Sequence, residues 1–280
     1  MFTLASWRAA LLLGLLFFCW GGQGTLRAQA AAPTEQLVLV GSTTMAPLMA
    51  EIARRFEHLN PGVRISVAMG GSGRGIKDTR SGVAHIGMVS RALFDDEHDL
   101  YGVPIARDGV AVIVHRSNPL AGLRQQQLRE LYRGAAATWR DVGGPALPVH
   151  ALAGTRDAGS SELFTHFIGL SYEQLTTQRR LAANAERIAA VADDPSAIVF
   201  VSVGEAERKA AGGVPVKLLA IDGVPATSAT VRNGNYPMSR PLMLVHRGAP
   251  AGYSRKFIEY CLSSQVTDLI LAFDFVPYLD

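Results

Sequence analysis

Two spacings of apolar residues alternate along the chain. Gln36 to Val40 is an apolar run of strand length that ends in Gly41-Ser42-Thr43-Thr44. Met45, Leu48, Met49, Ile52, Phe56 and Leu59 then recur at three- and four-residue intervals, which predicts a helix with one apolar face. Pro61-Gly62 breaks that helix. Val63 to Met69 alternates as a strand does and ends in Gly70-Gly71-Ser72-Gly73, and a short helix through Ile76 and Thr79 follows. His85 to Val89 is the next strand and ends in Ser90-Arg91. Strand, polar glycine-rich turn and helix repeated in this way predict an α/β fold with a mostly parallel sheet.

Val103 to His115 is a long apolar strand, interrupted by Arg107-Asp108-Gly109, that leads out of this first region. From about residue 116 the pattern continues with helices near Leu123–Tyr132, Ser161–Leu170 and Ala185–Val191. Strands are expected near Val149–Ala153, Ile198–Val203 and Val216–Ile221. Asn233-Gly234-Asn235-Tyr236-Pro237 has turn composition. A strand from Pro241 to Val245 and a helix from Tyr253 to Leu262 return to the first region. The expected organisation is a first lobe of residues 31–115 with 238–280 and an inserted second lobe of residues 116–237.

The first 30 residues change the picture in a different way. Arg8 precedes an apolar stretch from Ala9 to Trp20, and Ala28-Gln29-Ala30 has the small-x-small pattern of a signal-peptidase site. The stretch is shorter than the roughly 20 residues of a membrane span, so residues 1–30 read as a cleavable signal for export to the periplasm. Retention as an anchor is the alternative. Phe18 before Cys19 argues against a lipoprotein site. Removing 30 of 280 residues takes Arg8 and Arg27 with it and leaves 25 basic against 24 acidic residues, with no basic run. Nucleic acid is therefore excluded as a partner. Arg179-Arg180 reads as a solvated helix face. Cys261 would be the single cysteine left, buried in an apolar helix, so no internal disulfide is expected. The seven histidines are scattered without ligand spacing, and no metal or cofactor is expected.

The turns hold the candidate chemistry. A desolvated oxyanion must be met by donors. Helix starts supply unpaired N–H groups and the positive end of the dipole, hydroxyls add donors without charge, and arginine adds a bidentate one. Three turns have that composition: Ser42-Thr43-Thr44, Gly71-Ser72-Gly73 and Gly159-Ser160-Ser161, the last just after Arg156. Each alone is equally a helix N-cap; it is the repetition beside an arginine that points to a ligand. Gly70-Gly71-Ser72-Gly73-Arg74 is neither a nucleophile elbow nor a phosphate-binding P-loop. Arg91 reads either as a further contact to the anion or as the partner of a surface acid. Asp108 is either a turn residue beside Gly109 or a functional carboxylate between apolar flanks.

At these residues the chain resembles the periplasmic phosphate-binding proteins of phosphate-specific ABC transporters. The likeness runs from Leu37 to the C-terminus. It is carried by Gly-Ser-Thr-Thr-Met-Ala-Pro (41–47), Gly-Gly-Ser-Gly-Arg-Gly-Ile-Lys (70–77), Ile-Gly-Met-Val-Ser-Arg (86–91), Asp-Gly-Val-Ala-Val-Ile-Val (108–114), Tyr-Pro-Met-Ser-Arg-Pro-Leu (236–242) and Phe-Val-Pro-Tyr (275–278). Trp139 with Val142-Gly143-Gly144 adds to it. The resemblance implies a two-lobed periplasmic-binding-protein fold (type II-like), each lobe a sheet flanked by helices, with the ligand in the interlobe cleft. It further implies a monomer that binds inorganic phosphate or a related oxyanion and works with an ABC permease, without a cofactor. It places Thr43, the Thr44 amide, Ser72, Arg156 and Ser160 on the anion, with Ser42, Gly73, Ser90, Arg91, Asp108 and Ser161 completing the expected set. Some members carry an aspartate, which accepts the phosphate proton, where Ser90 stands; Asp108 is the candidate replacement. The clearest departure is Ser161-Glu162 in place of Gly-Thr, which removes a hydroxyl and adds a negative charge. A sensor or scavenger without a transporter and an exported serine hydrolase using Ser72 or Ser160 are the competing readings.

Overall fold

The computed structural model describes residues 35–278, so the signal read in residues 1–30 lies outside the described residues. The chain opens with β1 (Glu35–Gly41), α1 (Ala46–Leu59), β2 (Val63–Met69), α2 (Ser72–Ser81), β3 (Ile86–Val89) and β4 (Tyr101–His115). Next come β5 (Gly122–Leu123), α3 (Gln125–Tyr132), β6 (His150–Ala153), α4 (Gly159–Ile168), β7 (Arg179–Arg180), α5 (Asn184–Ala192), β8 (Ala197–Ser202), α6 (Val203–Ala211), β9 (Val216–Leu218), β10 (Ala220–Ile221) and α7 (Ser228–Arg232). The chain ends with β11 (Ser239–His246), α8 (Gly252–Cys261), α9 (Thr267–Ala272) and β12 (Val276–Pro277).

The fold is α/β and two-lobed. The strands run in the order β2-β1-β3-β11-β4-β8-β6-β7, with β9 and β12 also on β4. Both ends of this path are parallel, as the strand–turn–helix repeats require: β1 with β2 and β3, and β6 with β8 and β7. The middle departs from the expected parallel sheet. There β11 runs antiparallel to β3 and β4, and β4 antiparallel to β8. One strand that leaves and one that returns must run against each other, and these two carry the chain between the halves. The expected interruption of β4 at Arg107-Asp108-Gly109 is also absent. Asp108 sits in register opposite Arg240 of β11, and the ion pair between them lets a charged residue continue a buried strand.

Each lobe has its own apolar core. In the first, Leu48, Met49, Ile52 and Phe56 of α1 are buried against Leu37 and Leu39 of β1 and against α8, where the Phe56 and Phe257 rings meet edge-on at 5.3 Å. Pro47 sits in the first turn of α1, where its missing N–H breaks no helical bond. Cys261 is a free thiol buried in this core, and desolvation raises its pKa. The second core gathers Val110 to Val114 of β4 with Tyr132, Trp139, Phe164 and Phe200. Here Phe164 stacks on Phe200 at 4.2 Å, and the Trp139 indole N–H donates to the Ser196 carbonyl at 3.0 Å. Arg179 and Arg180 are exposed as expected, but on an edge strand beside β6 rather than on a helix.

Candidate functional site

Three strand ends deliver three turns to one place. The Ser42 N–H donates to Met88 O at 2.8 Å, which ties the turn after β1 to β3. The N–H groups of Gly70 and Gly71 both donate to Gly41 O at 2.9 Å, so the turn before α2 hangs on the first. Ser72 opens α2, and its hydroxyl accepts the Ser90 N–H at 3.0 Å at the end of β3. From the other half, Gly159 and Ser160 open α4 and meet this cluster directly. Two glycines make that contact possible. Gly71 has φ +88, and a Cβ on it would lie 2.0 Å from Asp157 O; a Cβ on Gly159 would lie 2.5 Å from both the Ser72 and Ser90 hydroxyls.

Beside this contact is a cleft of about 390 Å³, lined by Ser42, Thr43 and Thr44 on one side and by Gly159, Arg187 and Ser202 on the other. The start of α1 thus faces the start of α4, and both turn the positive ends of their dipoles towards the cleft. Of the residues expected on the anion, Ser42, Thr43 and Thr44 line the cleft. Ser72, Ser90, Asp108, Ser160 and Ser161 are buried outside the lining. Arg240 donates through Nη1 to the Ser90 carbonyl and hydroxyl at 3.2 Å, and through Nε and Nη2 to one oxygen of Asp108 at 3.1 and 2.6 Å. The Ser202 hydroxyl donates to the other Asp108 oxygen at 2.8 Å. Asp108 is therefore an internal anchor joining β4, β8 and β11, not a solvated turn residue. Ser160 accepts from Arg187 Nη1 at 3.3 Å, while the Ser161 hydroxyl is buried with no partner among the described residues.

Arg91 resolves between its two alternatives. Its guanidinium is buried and faces acids, Glu97 at 2.6 Å and Glu162 beside it, but these are interior partners rather than surface ones. Burial opposes its charge, yet the hydrogen bonds to Glu97 and the Glu162 charge outweigh this and raise its pKa. Glu162, the departure at the start of α4, is thus arginine-paired and lies 3.3 Å from where a Cβ on Gly73 would stand. Burial raises its carboxyl pKa against the pull of Arg91, because that one cation is shared with Glu97. Arg156 is not brought to the cleft lining. It precedes α4 on the outer side, where it pairs with Glu173 and lies over the Tyr172 ring, its side chain 60% exposed.

Sequence reasoning missed Arg187, Arg240 and Ser202. Ser202 repeats the grammar of the other turns, a hydroxyl at a strand end before a helix. Arg240 stands in the Tyr-Pro-Met-Ser-Arg-Pro-Leu segment without an obvious partner along the chain. Arg187 precedes Val191 by four residues, which places it on the buried face of α5, the only hint the chain offers.

The family model described as a PBP superfamily domain matches residues 27–265. Among curated proteins, the chain is 23% identical over 259 residues to the phosphate-binding protein PstS of Bacillus subtilis, covering 87% of this chain and 81% of that one. It is 36% identical over 108 residues to PstS 2 of Streptococcus pneumoniae, which covers 38% of this chain and 37% of that one. Among solved structures, a substrate-binding protein from Clostridium perfringens with bound phosphate superposes with a TM-score of 0.77 at 29% identity, covering 86% of this chain and 99% of that one. An ABC-type phosphate transport receptor from Vibrio cholerae gives 0.76 at 26% identity, with coverage of 86% and 99%.

Proposed function

Because the chain belongs to the PBP superfamily, we propose that it captures inorganic phosphate for an ABC-type uptake system, as an exported periplasmic monomer that hands its ligand to a membrane permease. The observation that carries this reading is the convergence of two helix starts, Ser42 to Thr44 and Gly159, on one cleft that Arg187 also lines, with its guanidinium on the Ser160 hydroxyl. Such a site offers many donors and the Arg187 cation, while the Arg208 that also lines it is paired with Asp274, and this suits a compact anion stripped of water.

In this reading Thr43 and Thr44 grip the anion from one lobe and Ser160 from the other. Ser72 and Ser90 close the floor, and Arg156 swings in from Glu173 when ligand arrives. The first lobe comprises residues 31–115 and 238–280 and the second residues 116–237, and the strands that join them act as the hinge. A receptor role is supported over that of a serine hydrolase by the partners of Ser72 and Ser160, whose hydroxyls bond to Ser90 and Arg187, neither of which is the base a nucleophile needs. Calorimetry tests the reading. One phosphate should bind per chain, and absence of heat with phosphate would sink it.

A further inference from the structure

Three arginines are buried beside the cleft, and one is unlike the others. Arg91 and Arg240 each face a carboxylate. Arg187 is 2% exposed, and no carboxylate among the described residues lies within ion-pair distance. Its Nη1 donates to Phe200 O at 2.9 Å and to the Ser160 hydroxyl at 3.3 Å, and its Nη2 donates to Ala182 O at 2.9 Å. Its Nε is buried without a hydrogen-bond partner among the described residues. Neutral acceptors satisfy protons but do not cancel a charge, and an uncancelled buried charge is costly. Burial and the nearby Arg240 charge lower its pKa to about 10 against a weaker opposing pull from the more distant Glu205, which leaves it charged at neutral pH. Arg187 lines the same cleft as Thr43 and Thr44, as do Glu205, which is not within ion-pair distance of it, and Asp274, which is taken up by Arg208.

We propose that Arg187 is a fixed cation of the ligand site, a specificity-determining residue whose missing counter-charge is the bound anion itself. This rests on the phosphate reading and deepens it. Arg156 is an arm that must leave Glu173 to act, whereas Arg187 is held in place by two backbone carbonyls. A cation that is neutralised only by ligand favours the ligand of greater charge, so doubly charged tetrahedral anions are the class the cleft selects.

The test compares the intact exported protein with Arg187→Gln and Arg187→Lys, by calorimetry with inorganic phosphate and by melting with and without phosphate, sulfate, molybdate and methylphosphonate. Arg187→Gln should bind phosphate about 10- to 150-fold more weakly, the range of a lost charge-assisted hydrogen bond. Arg187→Lys should recover part of that loss. Without anion, Arg187→Gln should melt no lower than the parent, because an uncompensated charge has gone. A merely structural arginine would instead lower the anion-free melting temperature, and that result, or an unchanged phosphate affinity, overturns the proposal. If the parent binds no phosphate, the phosphate reading fails. The role of Arg187 then fails too only if parent and Arg187→Gln respond alike to every anion of the series.

Discussion

Arg240 and Arg187 are both buried near the cleft, and their surroundings differ in one respect. Arg240 shares Asp108 with the Ser202 hydroxyl, so its charge is cancelled whether or not a ligand is present. Arg187 has only carbonyls and a hydroxyl. The first arrangement is scaffold: it fixes β4 to β11 and can be assembled during folding. The second is unfinished until an anion enters. An anion site requires both, because a cation already neutralised by protein has little left to give a ligand, and an uncancelled one needs a rigid frame to hold it at depth.

Breaking the scaffold side should have the largest effect. Asp108→Ala leaves Arg240 buried without a counter-charge, and the loss should be about 3–5 kcal/mol of folding stability, read from urea unfolding. An unchanged midpoint would mean that Arg240 escapes to water and that the pair is not a scaffold. Next is Arg156, the arm proposed to swing in from Glu173. Arg156→Ala should weaken phosphate by about 1.5–3 kcal/mol in calorimetry. It should barely move the melting temperature, since an exposed pair such as Arg156–Glu173 contributes about 0–1 kcal/mol. Equal affinity in parent and variant would leave Arg187 as the cation of the site without Arg156.

Gly71→Ala probes the seam between the two halves. The φ of +88 and the carbonyl of Asp157 both resist a Cβ, and strain of about 1–3 kcal/mol is expected. Because the clash falls between the starts of α2 and α4, phosphate affinity should fall along with stability; a stability loss with full affinity would place the strain outside the ligand-bound form. The smallest effect concerns Glu162. Its pKa is raised on folding by burial, so folding disfavours its charged form, and its contribution to stability falls as pH rises from below the unfolded value through the folded one. Glu162→Gln escapes that loss and leaves Arg91 paired with Glu97. The variant should gain on the parent in going from acidic to neutral pH, measured by urea midpoints. A gain in the opposite direction would show that the Arg91 pair outweighs burial.

Much of the architecture was legible before any tertiary contact was known. The apolar spacing of α1 and the strand–turn–helix order through β3 match the structure closely, because each is a local pattern that burial of one face enforces. The short α9 and the sparse apolar face of α6 were not legible, since each is helical only in the company of its neighbours. Thr43 and Thr44 were found because a hydroxyl before a helix is a local signal. Arg187 was not, because a single arginine on a helix looks the same in sequence whether it meets water, a carboxylate or a cleft.

The sequence by itself determined the alternation of elements, the three hydroxyl-rich turns and the near balance of charge. Which charges cancel was decided only in three dimensions. Asp108 and Arg240 are 132 residues apart, and Arg91 and Glu162 are 71 apart. Hydrophobic periodicity repeats within a few residues and can be read along the chain, whereas an ion pair needs two side chains at one point in space, a condition that only the packed sheet sets.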